Sequence, residues 1–272
     1  MRGLKLVSRD YQRENTVVKV GSAAVGSGQK MFMAGPCAVE SLGQITGIAE
    51  QIKDYTHILR GGAYKPRTSP YSFQGLEEEG LGFLRDAGRA AGLPVVTEVV
   101  APEDVDLVGS YADLLQIGAR NMHNYPLLKR VGSQAKPVLL KRGFGATLEE
   151  LLFSAEYILA FGNSQVILCE RGIRTFNKHT SSTLDLGAVP VLQQLTHLPV
   201  IVDPSHGTGR WDLVQPLALA ALAAGADGLM IEVHDQPEKA LSDGPQALKP
   251  EKYKTLIKTA RRLVQCLGGW EQ

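Results

Sequence analysis

Short apolar runs recur along the chain at residues 31–34, 58–61, 95–97, 114–117, 138–140, 166–168, 200–202 and 228–231. Amphipathic stretches of helical period separate them, at 44–56, 76–91, 102–108, 125–131, 148–161, 183–195 and 211–224, and residues 251–267 read as a last helix. Apolar strands alternating with helices imply parallel pairing, because each parallel crossover needs a helix-length connection. Eight such units predict an α/β fold, a (β/α)8 or TIM barrel; an open doubly wound sheet is the alternative. Local signals agree. Thr147-Leu148-Glu149-Glu150 fits a capping box at a helix start. Pro94, Pro137 and Pro199 each precede a predicted strand, where a missing amide is tolerated. Residues 1–30 form an N-terminal extension outside the repeat. Residues 16–20, a Gly/Ser-rich turn and residues 30–33 read as a short hairpin closing the barrel bottom. No composition shift marks a second domain, so residues 1–272 read as one catalytic domain.

Composition narrows the function classes. The 272 residues are 44% hydrophobic and 21% charged, ordinary for an enzyme with a full core. A formal net charge of +1 argues against nucleic acid or an anionic membrane as partner. Cys37, Cys169 and Cys266 are too few, and odd in number, for a disulfide framework. The polar N-terminus does not read as a signal peptide, and the apolar run at 217–224 is too short to span a bilayer. Together these features predict a cytoplasmic protein.

In a barrel of this kind the chemistry sits at the C-terminal ends of the strands. Here those ends carry Arg60, Lys65, Arg67, Arg120, Lys141 and Arg171. One such cation is what a surface salt bridge would supply; six on one rim are not. Unpaired, two of them about 4 Å apart would repel by about 4 kcal/mol at an effective dielectric near 20. The expectation is therefore an anionic occupant, and arginine forks match phosphate and carboxylate oxygens. Cys37, His206, Glu232 and Asp243 follow the first, seventh and eighth strands, which are neighbours once the barrel closes. A thiolate, an imidazole and two carboxylates suit a divalent Mn, Fe, Co or Zn ion rather than magnesium. His234 is a weaker candidate. Gly143-Phe144-Gly145 lacks the third glycine of a dinucleotide fingerprint, and Ser205 beside His206 is not a triad, since chain neighbours rarely face each other.

Five segments carry a resemblance: Ala34-Gly35-Pro36-Cys37-Ala38-Val39-Glu40-Ser41, Lys65-Pro66-Arg67-Thr68-Ser69, Cys169-Glu170-Arg171-Gly172, Asp203-Pro204-Ser205-His206 and Ile231-Glu232-Val233-His234. With Leu241-Ser242-Asp243-Gly244-Pro245-Gln246 they resemble the 3-deoxy-D-arabino-heptulosonate 7-phosphate (DAHP) synthases, in particular the short type Iβ branch. The resemblance implies a condensation of phosphoenolpyruvate with D-erythrose 4-phosphate and water, the first step of the shikimate pathway to aromatic amino acids. It implies Cys37, His206, Glu232 and Asp243 as ligands of a divalent metal. It implies phosphate contacts from Arg120, Lys141 and Arg171, and places Arg60 and Lys65 near the carboxylate and the reacting end. Arg67 and Thr68 would contact erythrose 4-phosphate, and Pro66 is a further substrate-binding candidate beside them. Lys65, Glu98 and His206 are the catalytic candidates, with Lys65 donating a proton to the new alkoxide and Glu98 near the attacking water.

The sister 3-deoxy-D-manno-octulosonate 8-phosphate synthases, which use arabinose 5-phosphate, typically carry Lys-Ala-Asn-Arg-Ser where this chain has Lys65-Pro66-Arg67-Thr68-Ser69. That difference favours the four-carbon aldose. Asp235-Gln236, where relatives often have Pro-Asn, and Ala119 before the arginine are departures at positions given no role. Many members carry an additional regulatory domain. The short leader here leads to the expectation of an enzyme that phenylalanine, tyrosine and tryptophan do not inhibit. Relatives form homodimers and homotetramers, and the same is expected here. A Schiff-base aldolase using Lys65 or Lys141 and a non-catalytic phosphosugar-binding barrel are the competing readings.

Overall fold

Eight of the apolar runs pair as parallel strands and close on themselves in the computed structural model, which describes residues 3–66 and 69–268. The barrel strands are β3 (Met31–Gly35), β4 (Ile58–Arg60), β5 (Val95–Glu98), β6 (Leu114–Ile117), β7 (Val138–Lys141), β8 (Val166–Glu170), β9 (Val200–Val202) and β10 (Gly228–Glu232), and β10 closes onto β3. Alternation along each strand sorts the side chains into two layers. Met33, Ile58, Val96, Leu114, Leu139 and Ile167 fill the interior. Phe32, Leu59, Val95, Leu115 and Leu140 pack outward against the helices. Burial on both faces explains why the strands read as unbroken apolar runs.

Two short antiparallel strands, β1 (Val18–Val20) and β2 (Ala23–Val25), form the N-terminal hairpin. Val18, Val20 and Val25 join the interior cluster and plug the barrel at the N-terminal ends of its strands. The hairpin's second arm is therefore not residues 30–33 as the sequence suggested. The Gly/Ser-rich segment holds more than one turn signal. Register pairs Val20 with Ala23, so Gly21-Ser22 makes a two-residue turn, with Gly21 at φ 55°. That frees Met31 to start the barrel.

The helices are α1 (Leu42–Ile52), α2 (Glu77–Ala91), α3 (Val105–Tyr111), α4 (Tyr125–Gly132), α5 (Leu148–Ala160), α6 (Ala188–Leu195), α7 (Pro204–Thr208), α8 (Trp211–Ala223) and α9 (Pro250–Cys266). The capping box forms: Thr147 Oγ1 accepts the Glu150 amide at 3.1 Å and Glu150 Oε2 accepts the Thr147 amide at 2.7 Å. α6 starts at Ala188, later than position 183, where periodicity placed it. Thr183 is taken instead by a two-way backbone pairing with Ile173. Glu170 pins the same loop by accepting the Gly172 amide at 2.6 Å. Among the described residues no helix is long and apolar enough to cross a membrane.

Register brings the site together. β10 pairs with β3 from Gly228↔Met31 to Glu232↔Gly35, which places Glu232 two residues from Cys37 across the seam. Gly35 allows this approach. It has φ 151°, and an added Cβ would lie 2.0 Å from the Arg60 carbonyl oxygen.

Candidate active site

At the C-terminal mouth of the barrel, Cys37, His206, Glu232 and Asp243 each offer one ligand atom, all within 4.8 Å of one another. The four come from the turn after β3, from α7, from the end of β10 and from the loop before α9. Cys37 is buried, and burial with the nearby Glu232 carboxylate pushes its thiol up to about 12. The thiol accordingly donates to Asp243 Oδ2 at 2.9 Å. Asp243 adopts the left-handed conformation at φ 56°, which short polar side chains tolerate.

Asp203 caps α7 by accepting the His206 amide on Oδ1 at 3.0 Å, and its Oδ2 lies 2.7 Å from His206 Nδ1. A carboxylate can only accept, so the proton belongs on Nδ1 and Nε2 faces the cluster. His206 Nε2 is 3.1 Å from Glu232 Oε1. Gln246 Nε2 donates to Glu232 Oε2 at 2.6 Å, and Ser205 Oγ accepts the Glu232 amide at 3.0 Å. One soft donor, one imidazole and two carboxylates, oriented by bonded neighbours, fit a borderline divalent ion.

Beside this cluster lies a cavity of about 210 Å³ whose walls include Arg60, Lys65, Glu98, Arg120, Lys141 and Arg171. Lys65 Nζ donates to the Cys37 carbonyl at 3.0 Å and to its sulfur at 2.9 Å. Pro66 also lines the cavity. Arg171 is buried, donating to Ser182 Oγ at 3.0 Å and to the His206 carbonyl at 3.2 Å, and burial lowers its pKa. Gln116 donates to Glu98 Oε2 at 3.2 Å. Gly118 lets Glu98 lie flat there, since a Cβ would meet Glu98 Oε1 at 2.0 Å. Arg67 and Thr68 lie outside the described residues.

The charge balance differs from six unpaired cations. Arg60 Nη1 is buried against Glu232 Oε1 at 2.9 Å, and Lys141 Nζ against Asp203 Oδ2 at 2.6 Å. Part of the anionic partner is thus built into the barrel. Burial would raise the Asp203 carboxyl, but His206 and Lys141 outweigh it and hold the group well below the usual carboxylate range.

Sequence reasoning quoted Asp203 within a motif and gave it no role. Its signal was a strand-end carboxylate three residues before a candidate ligand histidine. Gln246 was missed in the same way. His234 turns away from the ligand group: Nδ1 accepts the Gln236 amide at 3.0 Å and Nε2 lies 3.6 Å from Glu40. Cys169 faces the barrel interior, and Cys266 is exposed on α9.

Residues 12–266 match the DAHP synthetase I family. The chain is 52% identical over 269 residues to the phospho-2-dehydro-3-deoxyheptonate aldolase of Thermotoga maritima, covering 98% of this chain and 80% of that one. The crystal structure of that DAHP synthase superposes with a TM-score of 0.96, at 52% identity, over 98% of this chain and 79% of the other. A truncated form of the Thermotoga maritima synthase superposes with a TM-score of 0.91, at 50% identity, over 97% of each chain. A 2-dehydro-3-deoxyphosphooctonate aldolase of Acidithiobacillus ferrooxidans is more distant, 33% identical over 251 residues, covering 85% of this chain and 88% of its own. The chain belongs to the DAHP synthetase I family.

Proposed function

We propose that the protein condenses phosphoenolpyruvate with D-erythrose 4-phosphate and water to give DAHP and inorganic phosphate. The observation that carries this reading is the meeting of Cys37, His206, Glu232 and Asp243 beside a cavity walled by Lys65, Lys141 and Arg171. Those four residues would hold a divalent Mn, Fe, Co or Zn ion, which would supply Lewis acidity toward the aldehyde oxygen. Arg120, Lys141 and Arg171 bind the phosphate of phosphoenolpyruvate, and Arg60 steers its carboxylate. Pro66, Arg67 and Thr68 receive erythrose 4-phosphate.

With both anions held in an attack-ready orientation, the methylene carbon of phosphoenolpyruvate bonds to the aldehyde carbon. Lys65 gives a proton to the alkoxide that results. Glu98, steadied by Gln116, orients the water that adds to the neighbouring carbon. Cleavage of the carbon–oxygen bond then releases phosphate. His206 serves as a ligand, its ring held by Asp203. The enzyme works in the cytoplasm as a homodimer or homotetramer.

Phosphate release from phosphoenolpyruvate tests the reading. It should require erythrose 4-phosphate, stop on treatment with a chelator and return with added divalent ion. Arabinose 5-phosphate turned over as fast would favour the octulosonate reaction. Borohydride trapping of substrate on the protein, with chelator-resistant activity, would establish a Schiff-base aldolase instead.

A further inference from the structure

Two neighbouring strand-end loops converge on one phenyl ring. Phe144 follows β7, within the Gly143-Phe144-Gly145 segment that fits no dinucleotide site. Its ring is half-buried and lines the cavity. The Arg171 guanidinium lies 4.7 Å from the ring centroid, that of Arg174 4.9 Å and that of Arg120 5.4 Å. Arg120 comes from the turn after β6, and Arg171 and Arg174 from the loop after β8. The backbone repeats the link, since the Arg174 amide donates to the Phe144 carbonyl at 2.6 Å.

Guanidiniums gathered this closely repel one another, and the repulsion grows in a partly buried site. An aromatic face carries a negative quadrupole that attracts each cation without neutralising it. A carboxylate in the same place would pair with the arginines and compete with an incoming anion. Leucine would fill the space but offer no attraction. Arg171 has further anchors in Ser182 and the His206 carbonyl. Arg120 is exposed and reaches the cavity from a short 3-10 turn at Ala119–Asn121. The ring therefore matters most for Arg120.

We infer that Phe144 is a positioning residue whose ring holds Arg120 and Arg171 at the spacing that clamps a phosphate, while Arg174 secures the ring from the loop after β8. The inference rests on the proposed role of Arg120 and Arg171 in binding the phosphate of phosphoenolpyruvate.

The test compares Phe144→Leu, which keeps apolar bulk, with Phe144→Tyr, which keeps the aromatic face. Inorganic phosphate is the probe, measured by calorimetry and as a competitor of phosphoenolpyruvate on the metal-loaded enzyme. Phe144→Leu should weaken phosphate and raise the KM for phosphoenolpyruvate together by about tenfold, with kcat within about threefold of wild type, and Phe144→Tyr should restore both. Unchanged phosphate affinity in Phe144→Leu overturns the inference. So does a tyrosine variant as impaired as the leucine one, which would mean that shape alone matters. If the leucine variant fails to fold, fluorinated phenylalanines placed at position 144 keep the shape. Phosphate affinity must then fall with each added fluorine, and a flat series overturns the inference. Phosphate binding by a wild-type enzyme that turns over no phosphoenolpyruvate would defeat the proposed function, while the variants would still decide the role of the ring.

Discussion

Cys37→Ala should lower kcat by about a thousandfold or more, because a Lewis acid contributes several kcal/mol to the barrier reduction and each 1.36 kcal/mol is a factor of ten. The thiol is the only soft donor of the four-residue cluster. Without it the remaining imidazole and carboxylates form a harder and looser site. The fold should survive. The cysteine is small, and its sulfur is bonded mainly within the site, to Asp243, Ser242 and Lys65. Steady-state kinetics with saturating divalent ion, beside a thermal melt, checks this. Activity within tenfold of wild type would show that Cys37 holds no essential metal.

Asp203→Asn should cost about a hundredfold in kcat/KM and about 3–5 kcal/mol of stability, the usual results of disturbing a histidine ligand's carboxylate and of breaking a buried ion pair. The two effects share one atom, since Asp203 Oδ2 serves both Lys141 Nζ and His206 Nδ1. Asparagine can still cap α7 through its oxygen, but its NH2 would then face an ammonium and an imidazole N–H. The KM for phosphoenolpyruvate should rise as well, because Lys141 loses its anchor. Urea denaturation and substrate titration check both parts. A stability loss below about 1 kcal/mol with unchanged KM would mean that the pair contributes little.

The alternation of apolar runs and helical stretches made the barrel legible, because each strand is buried on both faces and each crossover needs a helix. Closure then placed Cys37, Glu232 and His206 together without any knowledge of side chains. What the sequence hid was pairing. Arg60 and Lys141 read as free cations, since nothing in residue order says that Glu232 and Asp203 point at them. Those partnerships depend on register and on the direction of each Cβ, which appear only in three dimensions. The same holds for Phe144, whose meaning lies in three arginines contributed by two other loops. Only the hairpin's second arm was misplaced, and for a local reason, as a Gly/Ser-rich segment holds more than one possible turn and packing chooses between them.

X-ray absorption on protein carrying one equivalent of Zn²⁺ reads directly whether Cys37 binds the ion. One sulfur at about 2.3 Å and nitrogen or oxygen neighbours at about 2.0–2.2 Å are expected, with the sulfur signal lost in Cys37→Ala. A zinc environment without sulfur in the wild-type protein would contradict Cys37 as a ligand.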